Sequence, residues 1–264
     1  MSSRARQRSP LVLIILGSIG VVFFVMPFIG LLGRTPWRDL ASLLGEEIVL
    51  DALTLSVVTS LAATLISALL GVPLAWLLAR VEFPGRTLVR GVVLTPLVLP
   101  PVVGGAALLF ALGRRGLLGE PLFDATGLVL PFSTWGVILA TTFVAMPFLV
   151  ITVEGALRNM DRRYEGAAAT LGAGRWKVFW RVTIPMISPS LLSGLLLAWA
   201  RAFGEFGATI TFAGNLQGRT QTLPLAVFVS LESDRDVAIA ISLLMVAVSL
   251  LVLVAMRDRW WRPT

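Results

Sequence analysis

Arg201 and Glu205 stand four residues apart in a run, Ile187 to Phe212, that is otherwise apolar. Ionisable groups in such a run are costly, so they face other protein or a water-filled path, serving either as a structural ion pair or as part of a pathway. Their spacing puts them on one helix face, where they can pair. Glu205 would be a poor ligand for an anion, so a gating role for the pair would run through contacts between subunits rather than through coordination. Thr209 lies one turn further on, and Gly204 and Gly207 would let a second helix approach closely.

Little else in the chain could do covalent chemistry. With no Cys and no His, thiol redox chemistry, disulfides and the usual zinc ligands are excluded. A membrane enzyme would need a cluster of acids, bases or metal ligands, and away from their ends the apolar runs offer only Arg201 and Glu205. Gly172-Ala-Gly-Arg-Trp-Lys177 has the wrong spacing for a phosphate loop. The chain is therefore expected to be a non-enzyme with no resident cofactor or metal.

The elements that must carry these residues are membrane helices. The chain is 56% hydrophobic and 14% charged, with mean hydropathy +0.88, whereas soluble domains carry about 25% charged residues. A crossing helix needs about 20 mostly apolar residues. Six windows qualify: 11–32, 50–79, 88–112, 135–153, 187–212 and 237–256. The expected fold is an all-α integral membrane protein of six transmembrane helices forming one domain over 1–264. The first window follows Arg4, Arg6 and Arg8 like a signal peptide, but its apolar run is too long and no Ala-x-Ala site follows, so it reads as a retained helix.

Lys and Arg in short loops resist translocation. Fifteen fall on the side of both termini, in the segments around Arg4, Arg80, Arg90, Arg158, Arg175 and Arg257, against six (Arg34, Arg38, Arg114, Arg115, Arg219, Arg235) on the other. Both termini are thus expected in the cytoplasm of a bacterial or archaeal cell, at its plasma membrane. The net charge of +7 is mostly this topology, and nothing further points to nucleic acid.

Several windows are interrupted. Pro27, Pro73, Pro96, Pro100, Pro101 and Pro147 remove backbone donors in or near spans, predicting kinked or broken helices. Pro100-Pro101-Val-Val-Gly104-Gly105 sits in mid-window; it is either a pore element, with Pro100 and Gly104 lining it, or a kink that serves packing. In the second window Ser56, Ser60, Ala63, Thr64, Ser67 and Gly71 form a small, hydroxylated face. Such a face packs against another helix or lines a wet pathway to which Ser60 and Ser67 would contribute.

Between the fourth and fifth windows lies a polar insert, 161–185. Glu165-Gly166-Ala167-Ala168-Ala169 would make a short helix of little bulk, able to seat in a groove of a soluble partner. Gly172 and Gly174 would stop it, and Trp176, Phe179, Trp180 and Val182 would lead an interfacial stretch into Pro185 and Pro189. An ordinary basic loop with Trp anchors would explain Arg175, Trp176 and Lys177 but not the Ala run.

This insert resembles the cytoplasmic motif Glu-Ala-Ala-x3-Gly-x9-Ile-x-Leu-Pro of permease subunits of binding-protein-dependent ABC importers. Ala167, Ala168, Gly172, Val182, Ile184 and Pro185 match, while Gly166 stands at the motif's Glu and Glu165 one place earlier. The segment Arg201 to Asn215, followed by Gly218 to Ala226, is similar to the molybdate permease branch, with sulfate and thiosulfate permeases next. The resemblance implies a homodimer forming the pathway, and two cytoplasmic ATPase subunits that bind ATP and Mg and grip the 161–185 loops. It also implies an extracytoplasmic oxyanion-binding protein. Molybdate or tungstate is the implied cargo, sulfate the alternative. The Arg residues of the outer side are offset by Glu46, Glu47, Glu120, Asp124, Glu232, Asp234 and Asp236, so steering by the chain itself would be weak. The short tail from Arg257 to Thr264 suggests no fused regulatory domain. An ion-coupled carrier or channel would use Arg201 and Glu205 equally well but leaves the Ala/Gly insert unexplained.

Overall fold

The computed structural model describes residues 11–260, the last six by backbone alone. Arg4, Arg6, Arg8 and Arg262, which enter the charge count, lie outside the described residues. Among the described residues five helices are long and apolar enough to cross a membrane, and a bent helix pair makes a sixth crossing.

The described residues begin with α1 (Leu11–Arg34), which buries no residue against the rest. A short α2 (Leu40–Leu44) leads into α3 (Glu47–Arg80). Pro27 and Pro73 sit inside continuous helices. The small-residue stripe of α3 is buried at Ser56, Ser60, Ala63, Ser67 and Gly71.

The third crossing is broken. α4 (Arg86–Leu94) runs into a 3-10 turn at Thr95–Leu97 and then, after a bend of 118°, into α5 (Pro101–Leu112). The cause is local: Pro101 restricts the residue before it to extended backbone, and Pro100 sits at φ −53°, ψ 129°.

After α6 (Gly119–Thr126) comes α7 (Thr134–Asn159), continuous through Pro147 and packed along α3, where Gly71 meets Met146 and Val150. α3 and α7 end at the same face, because Arg90 bonds both to the Leu78 carbonyl and to Glu154. The chain between them must therefore cross to the opposite face, and α4–α5 is a broken span rather than a re-entrant loop. Gly104 beside Phe143, and Leu108 and Leu112 against the cluster of Ala140 and Val144, trace that passage toward the start of α7.

The insert holds α8 (Arg163–Thr170) and α9 (Arg175–Val178), the latter continuing through a π-helical turn, Phe179–Thr183, into α10 (Ile184–Phe203). Pro185 has no N–H to give the Arg181 carbonyl, and a widened turn at that point is the consequence. The polar insert and the fifth span thus share one helix from Arg175 to Phe203. α10 is antiparallel to α3 and α7: Ile187 packs with Leu78, Leu149 and Leu157 at the arginine-rich end, and Phe203 packs with Val49 and Ala52 at the other.

The expected span 187–212 does not run unbroken. α10 stops at Phe203, and a separate α11 (Gly207–Ala213) follows. α12 (Leu223–Ser233), which the hydropathy windows pass over, precedes α13 (Arg235–Trp260). It is anchored by the Leu223 N–H donating 2.7 Å to buried Ser56 Oγ, which gives the stripe on α3 one of its partners.

Candidate functional site

Two groups of residues stand out, one at each end of α10. At the far end Arg201 and Glu205 pair, as their spacing implies, but across the helix break and not along a helix. Glu205 is 1% exposed. One carboxylate oxygen takes the Arg201 guanidinium, and the other accepts the Ala208 N–H at 2.7 Å, satisfying a free donor of the first turn of α11. A single carboxylate therefore ties the end of α10 to the start of α11. The Arg201 side chain is about a quarter exposed, at 26%.

The two broken crossings lock together through glycine. A β-carbon on Gly105 would lie 2.7 Å from the Ala208 carbonyl oxygen, and one on Gly207 would lie 2.9 Å from Pro101 Cβ. Backbone meets backbone here, and only a residue without a side chain allows it. Gly204 is different: it is exposed and a β-carbon there would meet only the Ala200 oxygen, at 3.6 Å. Thr209 is fully buried, and its hydroxyl has no hydrogen-bond partner. Pro100 is exposed at the bend, beside an open notch that Thr95, Val98 and Leu99 also line, while Gly104 is buried against Phe143. Ser60 and Ser67 are buried on α3, where the Ser60 hydroxyl donates to the Val57 carbonyl and that of Ser67 has no partner. Arg201, Glu205 and Thr209 form one group with the α5–α11 crossing, and neither serine is bonded to it.

At the near end the insert folds as a small helical platform. Gly166, Ala167 and Ala169 are exposed, and Gly172 closes α8 at φ +82°, in the left-handed region that favours glycine. The Ala173 N–H reaches back to the Ala168 carbonyl at 3.0 Å. Leu171 and Trp176 are among the most exposed large side chains of the protein, at 89% and 75%. Pro185 is exposed at the start of α10. Glu165 turns inward: its Oε2 lies 3.3 Å from Arg80 Nε, and its Oε1 accepts the Thr183 hydroxyl at 2.8 Å. No local pattern signals this, because Arg80 and Thr183 are distant in the chain from Glu165 and the carboxylate looks free on a polar insert.

Residues 71–260 match the family of binding-protein-dependent transport system inner membrane components. The chain belongs to that family. This permease is 49% identical, over 242 residues covering 91% of its length and 90% of the relative, to the molybdenum transport system permease protein ModB of Mycobacterium tuberculosis (strain ATCC 25618 / H37Rv). It is 37% identical over 216 residues, 81% of its length and 75% of the relative, to a probable sulfate transport system permease protein cysT of Marchantia polymorpha. Its fold is that of a chain of the bacterial alginate ABC transporter solved in complex with alginate pentasaccharide-bound periplasmic protein. The TM-score is 0.73 at 19% identity, covering 94% of each chain. The motif reading of 161–185 and of Arg201–Asn215 therefore pointed to the right family.

Proposed function

We propose that this permease is the membrane subunit of an ATP-driven importer for a tetrahedral oxyanion, molybdate or tungstate. Two copies form the pathway, two separate ATPase subunits bind ATP and Mg and dock on the α8 platform, and a binding protein delivers the anion on the opposite face. The observation that carries the choice of anion is the likeness to a molybdenum permease along 91% of the chain, against a weaker one to a sulfate permease. The exposed Ala/Gly surface of α8 supports the docking role, since small side chains let a helix sit deep in a partner's groove. The excess of Lys and Arg on the side of this platform supports a cytoplasmic setting for it and for both termini.

In this reading the bonds at the two ends of α10 have different tasks. ATP-driven movement of α8 is passed to α10, and the Arg201–Glu205 tie carries it over the break to α11, which packs on the broken third span. Arg201 and Pro100, the half-buried and exposed members of the group, then lie where two copies would face each other across the path, with buried Thr209, Gly104, Ser60 and Ser67 behind them as the packed wall.

The test is the ATPase activity of the complex in liposomes, with its binding protein carrying molybdate, tungstate, sulfate or no anion. Stimulation by the molybdate- and tungstate-loaded forms above the sulfate form is expected. A ranking led by sulfate would assign the chain to the sulfate reading, and copies that pass anions with no ATPase bound would contradict the importer reading.

A further inference from the structure

The end of α3 is where the near-end platform meets the membrane bundle. The last carbonyls of a helix lack helical partners. Here Leu78 is reached by Arg90 from α4 and Ala79 by Arg162 from the segment before α8, each at 3.4 Å. Arg80 itself is buried, 7% exposed at its side chain, and Glu165 of α8 is the carboxylate beside it. Its Nε and Nη2 have no hydrogen bond, so charge holds the contact more than hydrogen-bond geometry does. The same carboxylate takes the hydroxyl of Thr183, a residue 1% exposed in the π-helical turn that opens into α10.

We infer that Arg80, Glu165 and Thr183 form a brace that makes α8, the end of α3 and the start of α10 move as one body. The proposal rests on the importer reading above and adds how the platform is joined to the membrane helices. Glu165 is then a positioning residue turned into its own chain, and the ATPase is held by the exposed face of α8 instead. The burial of its partners carries the argument: the Glu165 side chain is itself 20% exposed, but each of its oxygens is directed at a buried group, one at the Arg80 guanidinium and one at the Thr183 hydroxyl. An exposed surface ion pair would hold the elements together only weakly, but an uncompensated buried Arg80 would be costly, so the three groups stay together.

The test uses the whole complex in proteoliposomes with molybdate-loaded binding protein, measuring molybdate taken up, ATP consumed, and the amount of ATPase that co-purifies. Glu165→Gln and Thr183→Val each weaken the brace; Thr183→Ser keeps the hydroxyl. The brace predicts wild-type co-purification with ATP spent per molybdate rising about tenfold in Glu165→Gln and Thr183→Val, the scale of losing one hydrogen bond to a charged group. Thr183→Ser is expected to restore wild-type stoichiometry. Loss of the ATPase from the Glu165→Gln complex alone would overturn the brace in favour of a direct contact, and unchanged stoichiometry in Thr183→Val would overturn it as well. Failure of the unsubstituted complex to take up molybdate with ATP would instead strike the importer reading beneath it.

Discussion

Arg201 and Glu205 show how far residue spacing can be read and where it stops. Their four-residue separation announces the pair, but not that Glu205 lies beyond the end of α10, because Phe203 to Phe206 is as apolar as a helix interior apart from that one carboxylate. With Glu205 buried, removing its partner leaves an unpaired charge. Arg201→Met is expected to cost on the order of 3 kcal/mol, and Arg201→Met with Glu205→Gln to recover much of that, as read by thermal unfolding of the detergent-solubilised protein. The double variant also separates structure from pathway. If Arg201 does no more than pair, uptake returns with stability; if Arg201 meets the anion, stability returns and uptake does not.

At the scale of elements, prolines were legible where they came in pairs. Pro100-Pro101 breaks the third crossing because the second ring fixes the backbone of the first, whereas single Pro27, Pro73 and Pro147 are absorbed within helices. α12 was not legible, since its eleven residues are too few to cross and its anchoring bond to Ser56 is a tertiary contact. Nor could spacing tell which glycine of Gly204 and Gly207 is needed for close approach. Gly105→Val and Gly207→Val are expected to destabilise by about 2–3 kcal/mol through overpacking of α5 on α11, with a matching fall in folded yield. Gly204→Ala, whose β-carbon would make only an ordinary contact with the Ala200 oxygen at 3.6 Å, is expected to leave the melting temperature unchanged within error. Gly172→Leu has nothing nearby to clash with; it is strained by its left-handed backbone alone, by about 1 kcal/mol. That variant is expected to insert and assemble while spending ATP without transport, and normal coupled uptake would contradict the assigned role of α8.

Across the whole molecule, the chain divides its work by face. The arginine-rich face carries the exposed platform, tied to Arg80 by the half-buried Glu165, and the buried Glu154, which ties α7 to Arg90 of α4, while the opposite face carries the loops around α6 and α12, where Arg114 lies 4.4 Å over the ring of Phe123. α1 is apolar around its whole circumference with no residue buried, the condition of a helix whose neighbours are lipid or another chain. Composition alone made the six crossings legible. The joints between them depend on buried bonds among residues far apart in sequence, which no local pattern encodes. The central claim, that these joints turn ATP hydrolysis in a partner into anion movement, is tested most directly by molybdate uptake into proteoliposomes holding the complex and its binding protein. Uptake that requires ATP on the side of the α8 platform, and survives collapse of the proton gradient, is the result expected. Uptake that persists without ATP and stops when the gradient is collapsed would contradict the account.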